Sequence, residues 1–456
     1  MNSFYGVFMP LARWSIFAIL FVVGCQPPAE TPHPEACDTP PSRTAGADWP
    51  RFLGPTSDGA SAETGILKEW PRSGLKVVWE AALGLGFAPP VIADGRCFHF
   101  DRFGENCRLT ARTSETGKLL WKYEYPTTYD DSYGYSPGPR CSPVVDGDRV
   151  YAYGPDGVLI CVEAKTGKKV WDLEVSKKYN VHQNFFGVGS SPWVENELLI
   201  VAVGGSTGDR PENILEAKGN GSGIVAFDKR TGKEVWKCSD ELASYASVIV
   251  AEIDGQRVGL YFARGGLLAF DPKEGRVLDR VDWRARTLES VNASNPVVVG
   301  KQILITECYG KGSLLLSWNG KTFDKVRADR DDVRIKSLAC HWNTPIVVDG
   351  YAYGSSGRHE NEAELRCVKW DTGEVVWAKK GLSRCQFSRV DGHFVCLTER
   401  GELSLLKIDP KEYREVARYE LDGIEYPAWA APVLSHGLLY IRGKDRLVCL
   451  ELIPAK

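Results

Sequence analysis

Along most of this chain, short apolar runs alternate with polar turns, the rhythm of strands joined by hairpins. One pattern recurs with its length unchanged. It reads Ala111-Arg-Thr-Ser-Glu-Thr-Gly-Lys-Leu-Leu-Trp121, then Cys161 to Trp171, Ala226 to Trp236 and Cys367 to Trp377. In each copy an apolar strand enters a polar Thr-Gly turn and returns to a tryptophan. Gly117, Gly167, Gly232 and Gly373 are expected in a left-handed conformation that closes a bulged hairpin. Trp121, Trp171, Trp236 and Trp377 then stand on the return strands. A fifth copy, Ala269 to Gly275, keeps the glycine but has Asp279 where tryptophan is expected. One such unit cannot bury this much aromatic surface alone, whereas stacking on a neighbouring unit can.

Upstream of each copy lies a second hairpin, opened by Pro or Val and closed by Asp-Gly or a similar turn. Its strand starts fall at Pro90, Pro143, Pro192, Val248, Pro296, Pro345, Val390 and Pro432. They recur about every 50 residues with four short strands each, which predicts an all-β, eight-bladed propeller of four-stranded antiparallel blades. The last unit, Pro432 to Leu452, supplies three strands only. Leu75 to Ala81, with its own Trp79, reads as the missing fourth strand, so pairing of the two chain ends should close the ring and remove its open edges.

The N-terminus breaks this rhythm. Arg13 precedes an apolar run from Trp14 to Gly24, too short for a spanning helix of ~20 residues. It ends in Val22-Val23-Gly24-Cys25, which resembles a bacterial lipobox and implies cleavage before Cys25 and acylation of its thiol. The expected organisation is a signal peptide at 1–24, a lipidated Cys25 with a proline-rich tether at 25–47, and the propeller at 48–456. Prolines throughout the tether make it a semi-extended spacer. Gln26 after the cysteine favours the outer membrane, facing the periplasm.

Composition adds limits. Hydrophobic residues make up 43% of the chain, enough for a large core, and 46 glycines with 14 tryptophans suit many turns packed on aromatic rings. A net charge of -3 gives no reason to expect a nucleic-acid partner. The 13 cysteines include no CxxC, CxxCH or adjacent pair. Cys161, Cys367 and Cys449 share one repeat position and read as small buried hydrophobes, while Cys97 and Cys107 could face each other across a hairpin. The histidines are scattered, Asp130-Asp131 and Asp329 to Asp332 read as solvated loops, and no metal site is expected.

The Ala-x-Asp-x-x-Thr-Gly-Lys-x-x-Trp unit resembles the repeat of PQQ-like (pyrrolo-quinoline quinone repeat) β-propellers and the tryptophan-docking motif of quinoprotein dehydrogenases. Asp48-Trp-Pro-Arg-Phe-Leu-Gly-Pro55, Gly138 to Pro143 and Tyr309 to Gly312 resemble segments of planctomycete-type members. With the lipobox, the whole is similar to BamB-like outer-membrane lipoproteins. The resemblance implies a non-catalytic envelope binding or scaffold propeller with a role in outer-membrane protein assembly, a lipid anchor, and an envelope protein or polysaccharide as partner. The alternative is a PQQ-dependent dehydrogenase of alcohols or sugars, with PQQ and calcium as cofactors. The chain lacks the Cys-Cys pair and CxxCH found in many of those enzymes, so no cofactor and no catalytic residue are expected.

A candidate site follows from propeller geometry. The loops entering the innermost strands reach the central channel, and they carry Phe87, Arg140, Ser190, Tyr245, Asn295, His341, Trp342, Asn343, Gln386 and Trp429. Such a ring could bind a sugar, a peptide or another small polar ligand, or simply fill the channel. The aromatic inserts Tyr123 to Tyr135 and Tyr179 to Gly187 are candidate partner surfaces on one face.

Overall fold

In the computed structural model the described residues are 42–182 and 185–455. Cys25, the signal peptide and most of the tether fall outside them. The chain forms eight four-stranded antiparallel sheets arranged as a propeller. Blades 1 to 7 use consecutive strands, at 91–126, 144–174, 193–238, 249–282, 297–328, 346–380 and 385–420. Blade 8 takes Val433–Ser435, Leu438–Arg442 and Arg446–Glu451, and Val77–Ala82 pairs with the last of these as its outer strand. The ends of the propeller chain therefore meet in one sheet, as the incomplete last repeat predicts.

The repeat hairpins follow their expected physics. Gly117, Gly167, Gly232 and Gly373 all have φ near +70°, and each strand shows its register shift at the same place, between Ala111 and Arg112 in blade 1. A second constraint acts on the same glycine. A Cβ on Gly117 would lie 2.6 Å from the ring of Trp79, and one on Gly167 2.5 Å from Trp121. The indole of one blade thus lies flat on the glycine turn of the next. Its N–H also crosses the gap. Trp79 donates to the Ser114 carbonyl at 2.8 Å, Trp121 to Ala164 at 3.0 Å, Trp171 to Lys229 at 3.2 Å and Trp377 to Asp409 at 3.0 Å.

These tryptophans are not equally buried. Trp79, Trp121 and Trp171 are 6–9% exposed, whereas Trp236 and Trp377 are half-buried. Trp236 also leaves its indole N–H without a partner among the described residues. Three blades lack the tryptophan: blade 7 has Ala417 opposite Leu405, and blades 4 and 5 dock by other chemistry. In blade 4, Asp279 occupies the tryptophan position opposite Ala269, and its carboxylate accepts the Phe323 N–H at 2.6 Å. In blade 5, Arg327 stands opposite Leu315 and donates to the Trp370 carbonyl at 3.0 Å.

The cysteines at the shared repeat position have a packing reason. Cys161, Cys367 and Cys449 sit directly opposite Trp171, Trp377 and Trp79, where only a small side chain leaves room for the indole. All are fully buried. Cys97 and Cys107 do not face each other: Cys97 pairs with Arg112, and Cys107 with Arg102. All described cysteines are free thiols, and burial pushes both of these up to about 12.

The segment before the first strand closes the channel. Trp49 exchanges two backbone hydrogen bonds with Ile92 of blade 1, and Pro50 accepts the Val145 N–H of blade 2. The Arg51 guanidinium lies 4.7 Å over Trp193 of blade 3. Gly59 and Ser61 then bond to Arg389 of blade 7. Residues 48–61 therefore cross the channel near the Asp-Gly turns that follow the innermost strands. In Asp94-Gly95 and Asp349-Gly350 both residues have positive φ, as a two-residue type I′ turn requires.

Candidate functional site

The entry loops of all eight blades meet at the opposite end of the channel, around a cavity of about 300 Å³. Its floor includes Phe52, presented by the crossing segment. This cup is therefore lined by the entry loops together with the crossing segment. Seven of the ten residues expected from the sequence line it: Phe87, Arg140, Tyr245, His341, Trp342, Gln386 and Trp429.

Ser190, Asn295 and Asn343 do not line it, because blade-to-blade hydrogen bonds turn them away. The Ser190 hydroxyl donates to Ala246 O at 2.6 Å. Asn295 belongs to a belt at the feet of the innermost strands. Ser142 N–H donates to Ser191 Oγ (3.0 Å), Ser191 N–H to Ser247 Oγ (2.9 Å), Ser247 N–H to Asn295 Oδ1 (2.7 Å) and Asn295 N–H to Thr344 Oγ1 (3.1 Å). Asn343 accepts from Ser355 N–H at 3.0 Å and donates to Gln386 Oε1 at 3.3 Å. These bonds fix the loops relative to one another, so the cup is preformed.

Aromatic rings form much of the wall. Trp429 is the hub, with ring centres 4.7 Å from Phe87, 5.0 Å from Trp342 and 5.6 Å from Tyr135. The two aromatic inserts form the other side. Phe186 stacks on Tyr133, Tyr135 and Tyr245, and its N–H donates to the Tyr245 hydroxyl at 2.7 Å. Tyr133 and Tyr135 stay 50% and 54% exposed at the rim. The rings around Trp429 tilt by 47–52° from it, so these walls are oblique to one another.

Three arginines reach the cup. Arg140 lies 5.6–5.7 Å over Phe87 and Phe186 and is held by Asp131 at 2.9 Å. Asp131 is thus a buried positioning carboxylate and not the solvated loop residue its sequence context suggests. Arg384 lies 4.5 Å over Trp342 and is bound through two nitrogens by Glu399, which also accepts the Trp429 indole N–H at 3.0 Å. Burial would raise the Glu399 carboxyl, but the hydrogen bonds from Arg384 and Trp429 outweigh it and hold the group below its ordinary value. Arg358 stacks 4.5 Å over Tyr309. Tyr309 shares a 2.9 Å hydrogen bond with His341 Nε2. Burial first, then the positive charge of Arg384 and Arg358, lowers His341 to about 3, so its ring is neutral near pH 7.

Tyr309, Arg358, Arg384, Glu399 and Phe52 were not among the expected site residues. Tyr309, Arg358 and Glu399 lie on turns between the second and third strands of their blades, where no repeat signal marks them. Phe52 and Tyr309 stand in segments that resemble family members, but only the path of the chain places them at the cavity.

Comparison with known proteins fits this architecture. BamB from Moraxella catarrhalis superposes with a TM-score of 0.57 at 13% identity, over 84% of this chain and 99% of that one. The computationally designed Ika8 protein superposes with a TM-score of 0.53 at 10% identity, over 83% of this chain and 100% of that one. At such identities the likeness is one of fold. A quinohemoprotein alcohol dehydrogenase of Pseudomonas putida is 26% identical over 156 residues, covering 33% of this chain and 19% of its own length. The dehydrogenase subunit of a quinone-dependent alcohol dehydrogenase of Gluconobacter oxydans (strain 621H) is 29% identical over 170 residues, covering 36% and 21%. The matched stretch spans about a fifth of these curated relatives. A family model described as outer membrane protein assembly factor BamB matches residues 70–208 and 211–419. With most of the propeller inside that match, the chain belongs to this family of PQQ-repeat propellers.

Proposed function

We propose that this chain is a non-catalytic binding propeller of the bacterial cell envelope, anchored by a lipid on Cys25. On this reading its cup holds a ligand or a partner segment, and the family description supports a place in outer-membrane protein assembly. The observation that carries the reading is the preformed cup. Two of its arginines are held by buried carboxylates, its loops are hydrogen-bonded to each other, and Phe52 closes its floor. Rigid aromatic walls with oriented cations are what ligand capture needs.

A quinone-dependent dehydrogenase is the second reading, favoured by the quinohemoprotein stretch. The residues of the cup do not fit it well. Calcium takes six to eight oxygen ligands, yet among the described residues the only carboxylate lining the cup is Glu289, while Asp131 and Glu399 are each occupied by an arginine. Among the described residues no cluster of three or more His, Cys, Asp or Glu side chains could hold a metal. The Phe87, Tyr135 and Trp342 rings stand oblique to Trp429, which gives a flat quinone no parallel slot there.

Calorimetry of the purified protein with PQQ and Ca²⁺ separates the two. The expected result is no tight binding and no dye reduction with alcohols or aldoses. Stoichiometric PQQ binding with dye reduction would replace the binding reading. For the anchor, Cys25→Ala should leave the protein unacylated and in soluble fractions. Acylation that persists in that variant would remove the lipid tether from the proposal.

A further inference from the structure

The cup has an unsatisfied charge at one point. Arg140 is paired with Asp131 and Arg384 with Glu399, so these guanidiniums are neutralised where they stand. Arg358 has no carboxylate within ion-pair reach among the described residues, and its guanidinium makes no hydrogen bond there. Its five N–H donors are therefore available.

It is nonetheless fixed in place. Its face rests on Tyr309, and its backbone carbonyl accepts a 3.0 Å hydrogen bond from Arg384. The preceding Gly357 has φ +134°, and a Cβ there would meet Ala363 at 2.9 Å, so the backbone turn that presents Arg358 depends on glycine. A cation held this way, lining a cavity, is built for an anion.

The rest of the cup limits what carries that anion. Trp342 and Phe87 lean toward Trp429 at 51° and 47°. Oblique walls suit a puckered ring, which offers C–H groups in several directions, better than a flat one. Tyr133 and Tyr135 bring amphipathic rings to the rim, suited to a hydroxyl-rich molecule. A cavity of about 300 Å³ lies at the lower end of ligand pockets and takes a terminal unit, not a long chain.

We infer that the cup binds the end of an acidic saccharide, with the carboxylate of a uronate-type sugar on Arg358 and the sugar ring against Trp342 and Trp429. This rests on the binding reading above and names its ligand class.

Calorimetry and tryptophan fluorescence of the full chain test it with trigalacturonate and with its methyl ester, which keeps the rings and removes the charge. Trigalacturonate should bind at least about tenfold more tightly than the ester. Arg358→Gln should abolish that preference and shift the melting curve little, since Arg358 supports no buried pair. Equal affinities for acid and ester, or a preference that survives Arg358→Gln, overturns the inference. If neither saccharide binds but a short acidic aromatic peptide does, the saccharide falls and the binding reading stands. If neither saccharides nor peptide bind, both fall.

Discussion

His436 has an acceptor on each ring nitrogen, the Ala45 carbonyl and the Asp48 carboxylate, both at 3.0 Å. A neutral imidazole can donate from one nitrogen only, so this geometry calls for the charged ring. The hydrogen bond to Asp48 is the main cause that raises its pKa, with burial opposing and the Ala45 carbonyl assisting. Glu63 accepts the His436 N–H nearby, and the Arg43 guanidinium reaches the His436 carbonyl. A raised folded pKa gives stability that is complete below the unfolded value near 6.5 and lost as pH rises through the folded value. His436→Gln should therefore cost about 1 kcal/mol at pH 5–6, with the gap to the parent protein closing above pH 8 in urea titrations. A gap independent of pH would refute the charged ring. Glu399 runs the other way. Its lowered carboxyl contributes above its unfolded value and loses that contribution as pH falls through the folded value. Removing it strands Arg384 beside two indoles, so Glu399→Ala should cost about 3–5 kcal/mol by denaturant unfolding.

At the scale of strands and hairpins, the docking tryptophans should form a graded series. Trp121→Ala and Trp171→Ala remove buried rings and should cost about 3–5 kcal/mol each. Trp236→Ala and Trp377→Ala should cost about half that, because both rings are half-buried, and Trp236 should be the cheaper since its N–H bonds nothing described. Unfolding midpoints that fall equally for all four would contradict the gradation. This is also where the sequence was most readable. Gly117 and Trp121 are neighbours in one hairpin, so their spacing encodes the turn directly. Asp279 was visible only as a missing tryptophan and Arg327 carried no repeat signal, because each does the indole's work with different chemistry. The cup was half readable. Phe87, Arg140 and Trp429 stand at fixed places before an innermost strand. Side-chain direction is not written in that spacing, so Asn295 and Asn343 looked like ligand groups although they bond to neighbouring loops.

For the whole molecule, the decisive pairing joins residues at the two ends of the propeller, Val77 to Leu450 and Ala81 to Leu447. A chain beginning after Ala82 lacks the outer strand of blade 8 and the indole of Trp79. It should unfold with lost cooperativity or aggregate, as judged by circular dichroism melts and gel filtration. Unchanged cooperativity would mean that seven complete blades suffice. Such a deletion also removes residues 48–61, so a second chain lacking only that segment separates loss of closure from loss of the channel floor.

The same closure sets a timetable. Seven blades are built from strands adjacent in the chain and can form as each arrives. The eighth must bring together Trp79 and Cys449, partners at opposite ends of the polypeptide, and contacts of such wide sequence separation form slowly. A chain delivered amino end first therefore carries Val77–Ala82 through the whole of its synthesis without a mate, an apolar-faced strand with an open edge. For that interval the nascent protein is sticky and incomplete. Shielding of that one strand until the final residues appear is then a requirement that the stability of the finished ring does not meet.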